Sequence, residues 1–157
     1  PVIGGDLQKP GKDDHRAGYG SEFYATVEET DFSDRGDFVK IDYTQAYRVD
    51  SLKKLTRSFM YRRGESESIE VVDTVSFSSP DTFETALITF APWEEVEPGV
   101  FVFTEEDTSV RLEVQTEDGE LEFSSTVIQE SKTPDRLSWK FQEPISSAQV
   151  RFKVTPA

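Results

Sequence analysis

Residues Lys54 to Phe77 read KLTRSFMYRRGESESIEVVDTVSF, and the side-chain alternation in this stretch points to one long β-hairpin in a single register. Leu55, Phe59 and Tyr61 share one side of the first run, and Ile69, Val71, Val75 and Phe77 share one side of the second, at the two-residue period of a strand. Each pattern has one gap, Arg57 in the first and Asp73 in the second. With Gly64, Glu65 and Ser66 as a three-residue loop, residue numbers across the hairpin sum to a constant that sets Arg57 opposite Asp73. The same register pairs Leu55 with Val75, Phe59 with Val71 and Tyr61 with Ile69. A slip of one residue would turn every side chain to the wrong face. Arg57 and Asp73 are therefore expected to form a buried structural ion pair that holds the register.

The rest of the chain carries the same period. Val2 and Ile3 look like the tail of a strand, and GGDLQKPGKDDHRAGYG after them has no periodicity and reads as a long loop. Phe23, Ala25 and Val27 alternate as a strand, and DFSDRGD turns the chain. In DFVKIDYTQAY, Val39, Ile41, Tyr43 and Tyr47 share one face, which predicts a single strand through Tyr47. SSPD reads as a turn into TFETALITF, where apolar residues on both faces predict an interior strand, and APWEEVEPG reads as a proline-punctuated connection. Asp118-Gly119 is the strongest short hairpin signal and would pair Val114 with Phe123. After a turn at Glu143-Pro144, Ala148, Val150, Phe152 and Val154 alternate strictly. No helix longer than a turn or two is expected. The prediction is an all-β fold, an antiparallel β-sandwich of two stacked sheets.

A length of 157 residues suits one domain, residues 1–157, and a chain of this size buries about 70% of its unfolded surface without staples. Cysteine is absent, which removes disulfides, thiolate nucleophiles and sulfur-ligated metal sites together. The net charge of -14 argues against broad contact with nucleic acid or anionic lipid. No apolar run reaches the roughly 20 residues needed to span a bilayer, so no membrane insertion is expected. The opening at Pro1, inside an apparent strand, reads as a piece of a longer chain.

Chemistry-bearing residues are sparse. His15, in KDDHR, is the sole histidine, so a His-rich metal site is excluded, and Asp13, Asp14 and His15 are adjacent on a loop without further ligands. The acidic runs Glu94-Glu95, Glu105 to Asp107 and Glu117-Asp118 lack the spaced calcium-loop pattern and read as surface. No metal and no cofactor is expected. Trp93 and Trp139 are flat enough to stack on sugars, but Trp139 alternates with Leu137 and Phe141, which favours core packing. The long glycine-rich loop is the first place to look for a site.

One series of segments carries a resemblance: PVIGGDLQKPG, then Asp42-Tyr43-Thr44 with Ala46-Tyr47, then Leu55-Thr56-Arg57-Ser58-Phe59, then Val71-Val72-Asp73. It is similar to the downstream β-sandwich of the heparinase II/III-like polysaccharide lyases, over somewhat more than half the chain. The resemblance implies a non-catalytic C-terminal portion of a larger enzyme that cleaves uronic-acid-containing glycans by β-elimination. The family's asparagine and tyrosine come from an upstream α-toroid and its His-Asn from a β-strand. None of them maps here, and His15 matches no catalytic position. It implies as partners the upstream α-toroid and catalytic strands of the parent chain, with an acidic polysaccharide possible, and a secreted or periplasmic location. Gln8, His15 and Tyr19, in or beside the long loop, are the candidate carbohydrate contacts. The alternative is an independent carbohydrate-binding or cell-surface adhesion module.

Overall fold

Strand-period patterning and the absence of any long 3.6-residue repeat leave the backbone groups to be satisfied between strands, and that is how the chain folds. The computed structural model describes residues 1–9, 22–64, 67–129 and 133–157. Its strands are β1 (Val2–Ile3), β2 (Asp6–Leu7), β3 (Thr26–Ser33), β4 (Gly36–Asp42), β5 (Leu52–Arg62), β6 (Ser68–Asp81), β7 (Phe83–Thr89), β8 (Trp93–Glu97), β9 (Val100–Glu105), β10 (Thr108–Gln115), β11 (Leu121–Val127), β12 (Asp135–Phe141) and β13 (Ile145–Pro156). They form a five-stranded sheet in the order β11-β12-β7-β1-β2 and an eight-stranded sheet in the order β3-β4-β5-β6-β13-β10-β9-β8. Every pairing in both sheets is antiparallel. The fold is the predicted all-β sandwich.

The central hairpin has the register deduced from its side chains: Leu55 faces Val75, Arg57 faces Asp73, Phe59 faces Val71 and Tyr61 faces Ile69. Between the sheets lies one core that includes Ile3, Leu55, Val75, Phe83, Phe101, Leu112, Leu137 and Val150. At one end it is aromatic. Trp139 meets Phe101 and Phe152 edge-on, with centroids 5.4 and 5.2 Å away, and Phe123 lies 4.8 Å from Phe101. Trp139 is buried, and its Nε1 has no hydrogen-bond acceptor among the described residues.

Five expectations are corrected. Asp118-Gly119 is not a hairpin, because β10 and β11 belong to different sheets. Val114 pairs with Phe152 and Phe123 with Trp139. A type I′ turn needs positive φ at both central residues, and here only Gly119 has it, at 145°. Asp118 is instead tied to β13, where its Oδ2 accepts the Gln149 N–H at 2.7 Å. The strand expected to run through Tyr47 stops at Asp42, whose Oδ1 accepts the Thr44 N–H at 2.8 Å and the Thr44 hydroxyl. That Asx turn bends Thr44–Ala46 into a 3-10 turn. The Thr44 Oγ1 then accepts the Leu55 N–H at 2.9 Å and locks the turn to β5.

The remaining three concern boundaries and faces. The strand expected from Phe23 begins at Thr26 and continues to Ser33, so the turn narrows to Asp34 and Arg35. SSPD is not a turn but the end of β6, and Thr82 alone separates it from β7 in the other sheet. The APWEEVEPG connection contains β8, an edge strand bracketed by Pro92 and Pro98. Strand β7 is interior in its sheet, as expected. Its outward side chain Ile88 and the following Phe90 are nevertheless exposed, because no layer covers that side among the described residues.

The hairpin β3–β4 depends on one close approach. A Cβ added at Gly36 would stand 2.3 Å from the Tyr61 carbonyl oxygen, closer than any real contact. Gly36→Ala is expected to destabilise the fold by about 1–3 kcal/mol through a shift of β4 against β5. Urea unfolding of the variant checks this, and an unchanged midpoint would show that β4 relaxes freely.

Candidate functional site

The strand period puts Arg57 and Asp73 on the core-facing side of β5 and β6, among Leu55, Val75 and Val150. Burying an isolated charge there would cost many kcal/mol, so the geometry has to compensate each one. Arg57 does so with two parallel hydrogen bonds, Nε to Asp73 Oδ1 at 2.6 Å and Nη2 to Asp73 Oδ2 at 2.7 Å. Asp73 is fully buried, and its Oδ2 also accepts the hydroxyl of Thr85, which is itself fully buried on β7. Arg57 Nη2 reaches the same Thr85 Oγ1 at 3.4 Å. The three side chains come from β5, β6 and β7, so they join the two sheets through the interior.

Arg57 is held more firmly charged than usual. Burial opposes its charge, and the hydrogen bonds and charge of Asp73 outweigh that. Beside it, Tyr47 is buried and donates from its phenol to the Pro1 carbonyl at 2.9 Å, which anchors β1 on the turn after β4. Burial pushes this phenol up to about 12, with Arg57 pulling it down and Asp73 pushing it further up. Tyr47 is thus a permanent donor at neutral pH. Arg136 and Glu84 form an ion pair at 2.6 Å on the outward side of β12 and β7.

As chemistry, this arrangement is closed. The Asp73 carboxylate has both oxygens bonded, Arg57 is committed to it, and Tyr47 is protonated and bonded, so none offers a base to an incoming molecule. Among the described residues no three His, Cys, Asp or Glu side chains are placed to hold a metal ion. Gln8 is exposed just beyond β2, next to Lys9, whose N–H donates to the Ala46 carbonyl at 2.9 Å. His15 and Tyr19, with Asp13 and Asp14, lie outside the described residues. Trp139 is in the core, and Trp93 is half-buried with its Nε1 donating to Asp135 at 2.7 Å, so neither is a free stacking platform. Thr85 was legible but not singled out. In TFETALITF it is the polar gap between Phe83 and Leu87 on one strand face, the same signal that marks Arg57 and Asp73.

No protein-family profile and no curated protein matches the sequence. Solved structures do match the fold. A heparinase III described as the BT4657 gene product superposes with a TM-score of 0.65 at 13% identity, over 85% of this chain and 21% of that one. A second heparinase III gives 0.63 at 11% identity, again over 85% and 21%. The heparan sulfate lyase HepC from Pedobacter heparinus gives 0.63 at 10% identity, over 84% and 21%. The likeness is to the C-terminal portion of those proteins, and this chain spans about a fifth of their length. At these identities it is a likeness of fold.

The polar cluster is testable on its own terms. Asp73→Ala leaves a buried guanidinium unpaired and is expected to cost about 3–5 kcal/mol, while joint replacement of Arg57 and Asp73 by apolar residues costs much less. Thr85→Val, which removes one hydrogen bond to the carboxylate, is expected to cost about 1–3 kcal/mol. Denaturant titrations of Asp73→Ala, Arg57→Ala and the Arg57/Asp73 double variant check the coupling, with Thr85→Val measured beside them. Additive losses would mean that the pair does not act as a unit.

Proposed function

We propose that this chain is a non-catalytic C-terminal β-sandwich portion of a heparinase II/III-like polysaccharide lyase, secreted or periplasmic, whose whole protein cleaves uronic-acid-containing glycans by β-elimination. The observation that carries the reading is the fold likeness to about a fifth of each heparinase III chain. Two further facts agree with it. The segments that resemble the lyase family in sequence include Arg57 and Asp73, which form the internal tie between the sheets. Among the described residues, the polar cluster has no uncommitted base, and β-elimination requires one to remove the weakly acidic uronate α-proton.

In this reading the sandwich supports an upstream α-toroid and the catalytic strands, and Gln8, His15 and Tyr19 are contacts at the edge of the glycan cleft. A second reading, an independent carbohydrate-binding or adhesion module, draws on two open grooves of about 470 and 710 Å³ that share Gln115 and Arg151 on the outer face of the larger sheet. Among the described residues no aromatic side chain lines either one to offer the stacking surface typical of sugar contact.

Incubating the purified 157-residue chain with heparan sulfate and other uronate glycans is expected to yield no unsaturated product by ultraviolet absorbance. The longer protein is expected to yield it. Product from the 157 residues alone would overturn the non-catalytic role. Absence of product from the longer protein across the glycan panel would overturn the lyase reading.

A further inference from the structure

The five-stranded sheet covers only part of the eight-stranded one, and the boundary can be followed along cross-strand rows of inward side chains. One row runs Val150, Asp73, Arg57, Ile41, Val27 from β13 to β3. Its exposure rises from 0% at Val150 and Asp73 to 59% at Val27. A second row runs from Phe101 and Leu112 through Val154, Ile69, Tyr61 and Asp37 to Phe32, and rises from 0% at Phe101 to 45% at Ile69 and 65% at Phe32. Both rows are on the core side of the sheet. The inner face of β3, β4 and β5 therefore continues the core with partial cover, half-buried at Ile41 and Phe59 and exposed at Val27 and Phe32, and an apolar face of this kind marks an interaction surface.

The covering sheet stops at an unfinished edge in the same place. Strand β7 pairs with β12 over Glu84 to Thr89, but on its other side β1 pairs only with Phe83 and Glu84. Among the described residues, no strand pairs with that side of Thr85–Thr89. Strand β7 crosses β6 where Thr85 meets Asp73, so a strand added on the open side would lie over β5. Strand β1 runs antiparallel to β7 with Val2 opposite Glu84 and Ile3 opposite Phe83. Residues that lead into Pro1 and keep this register would pass Ala86, Leu87, Ile88 and Thr89 in turn.

We infer that the open side of β7 and the partly covered inner face of β4 and β5 together form a strand-addition site, and that its occupant is the extended segment leading into Pro1 in the longer protein. The inference rests on the reading above that such a protein exists. Main-chain hydrogen bonds to β7 supply the affinity, and alternate side chains of the segment, those on the side of Thr85 and Leu87, face Phe59 and Ile41. The partner strand therefore alternates apolar and polar residues, with its apolar side toward β5.

Hydrogen exchange in the longer protein tests this directly. Those amides of Ala86, Leu87 and Ile88 that point away from β12 are expected to exchange about tenfold or more slowly there than in the 157-residue chain. The chain has no cysteine, so Ile41→Cys and, as an exposed control, Ser147→Cys report thiol labelling in both proteins. Relative to position 147, labelling at position 41 is expected to be about tenfold or more slower in the longer protein than in the 157-residue chain. Fast exchange in the longer protein and the same relative labelling in both proteins would overturn the site. Amides already slow in the 157-residue chain would overturn the occupant, since this chain's own residues would then cover the face, and protection that varies with concentration would assign it to a second copy instead. A gene that encodes no residues ahead of Pro1 would also overturn it. Lyase activity measured on the same longer protein separates the two readings. Protection without activity keeps the strand site and removes the lyase, and activity without protection does the reverse.

Discussion

Everything in this sandwich is arranged around one buried carboxylate. Asp73 has no exposure, and its two oxygens are filled by Arg57 from the strand beside it and by Thr85 from the opposite sheet. A charge in that position cannot be left unsatisfied, so the hairpin register, the distance between the sheets and the rotation of β7 are all constrained at one point. Apolar residues alone would permit two-residue slips, which keep each side chain on its face, at modest cost. A bidentate ion pair with a hydroxyl on its third side does not. The net contribution to stability is small beside the penalty for any arrangement that breaks it, and this asymmetry is what makes such a group a specifier of structure.

On one side of this tie the protein is a finished sandwich, and on the other the described residues of the second sheet cover the larger one only in part. Toward β8, the rings of Trp93, Phe101, Phe123, Trp139 and Phe152 fill the space between the sheets with tilted and edge-on contacts. Toward β3, the same sheet face carries Val27 and Phe32 into solvent. Arg57 marks the boundary, with its side chain 22% exposed while Asp73 is wholly enclosed. The strands of the cover shorten in the same direction, to two residues each in β1 and β2. Tyr47 bonding to Pro1 and the main-chain bond from Lys9 to Ala46 add to the short ladder that holds these strands.

What the sequence made legible follows from what a two-residue period encodes. Alternation records which face a side chain takes, so the hairpin register, the inward side of single strands and the core placement of Trp139 could all be read from residues alone. Alternation does not record which strand is the partner. Strands β10 and β11 have the pattern and the Asp-Gly of a hairpin, yet Gly119 carries the chain from one sheet to the other. Thr82 does the same between β6 and β7 after a stretch that has turn composition but remains in the ladder. The break at Asp42 was also hidden, since Tyr43 and Tyr47 face inward on either side of the 3-10 turn and imitate an uninterrupted strand. Of the candidate contacts, Gln8 can be placed on the surface, whereas His15 and Tyr19 fall outside the described residues.

The charge of the chain bears on how it would serve an enzyme that acts on acidic glycans. A net charge of -14 repels a polyanion at long range, so attraction would have to come from basic residues not already matched by acids. Many of those on the larger sheet's outer face are matched: Lys54 with Glu28 and Asp42, Lys40 with Glu28, Arg111 with Glu113, and Arg151 with Glu70. Such pairs are screened and weak individually, but as a checkerboard they cancel the field over that face. On the inner face of that sheet the exposed side chains at the β3 edge are instead apolar, Val27 and Phe32. An apolar sheet face suits contact with protein better than with sulfated or carboxylated sugar, which agrees with the strand-addition site proposed above.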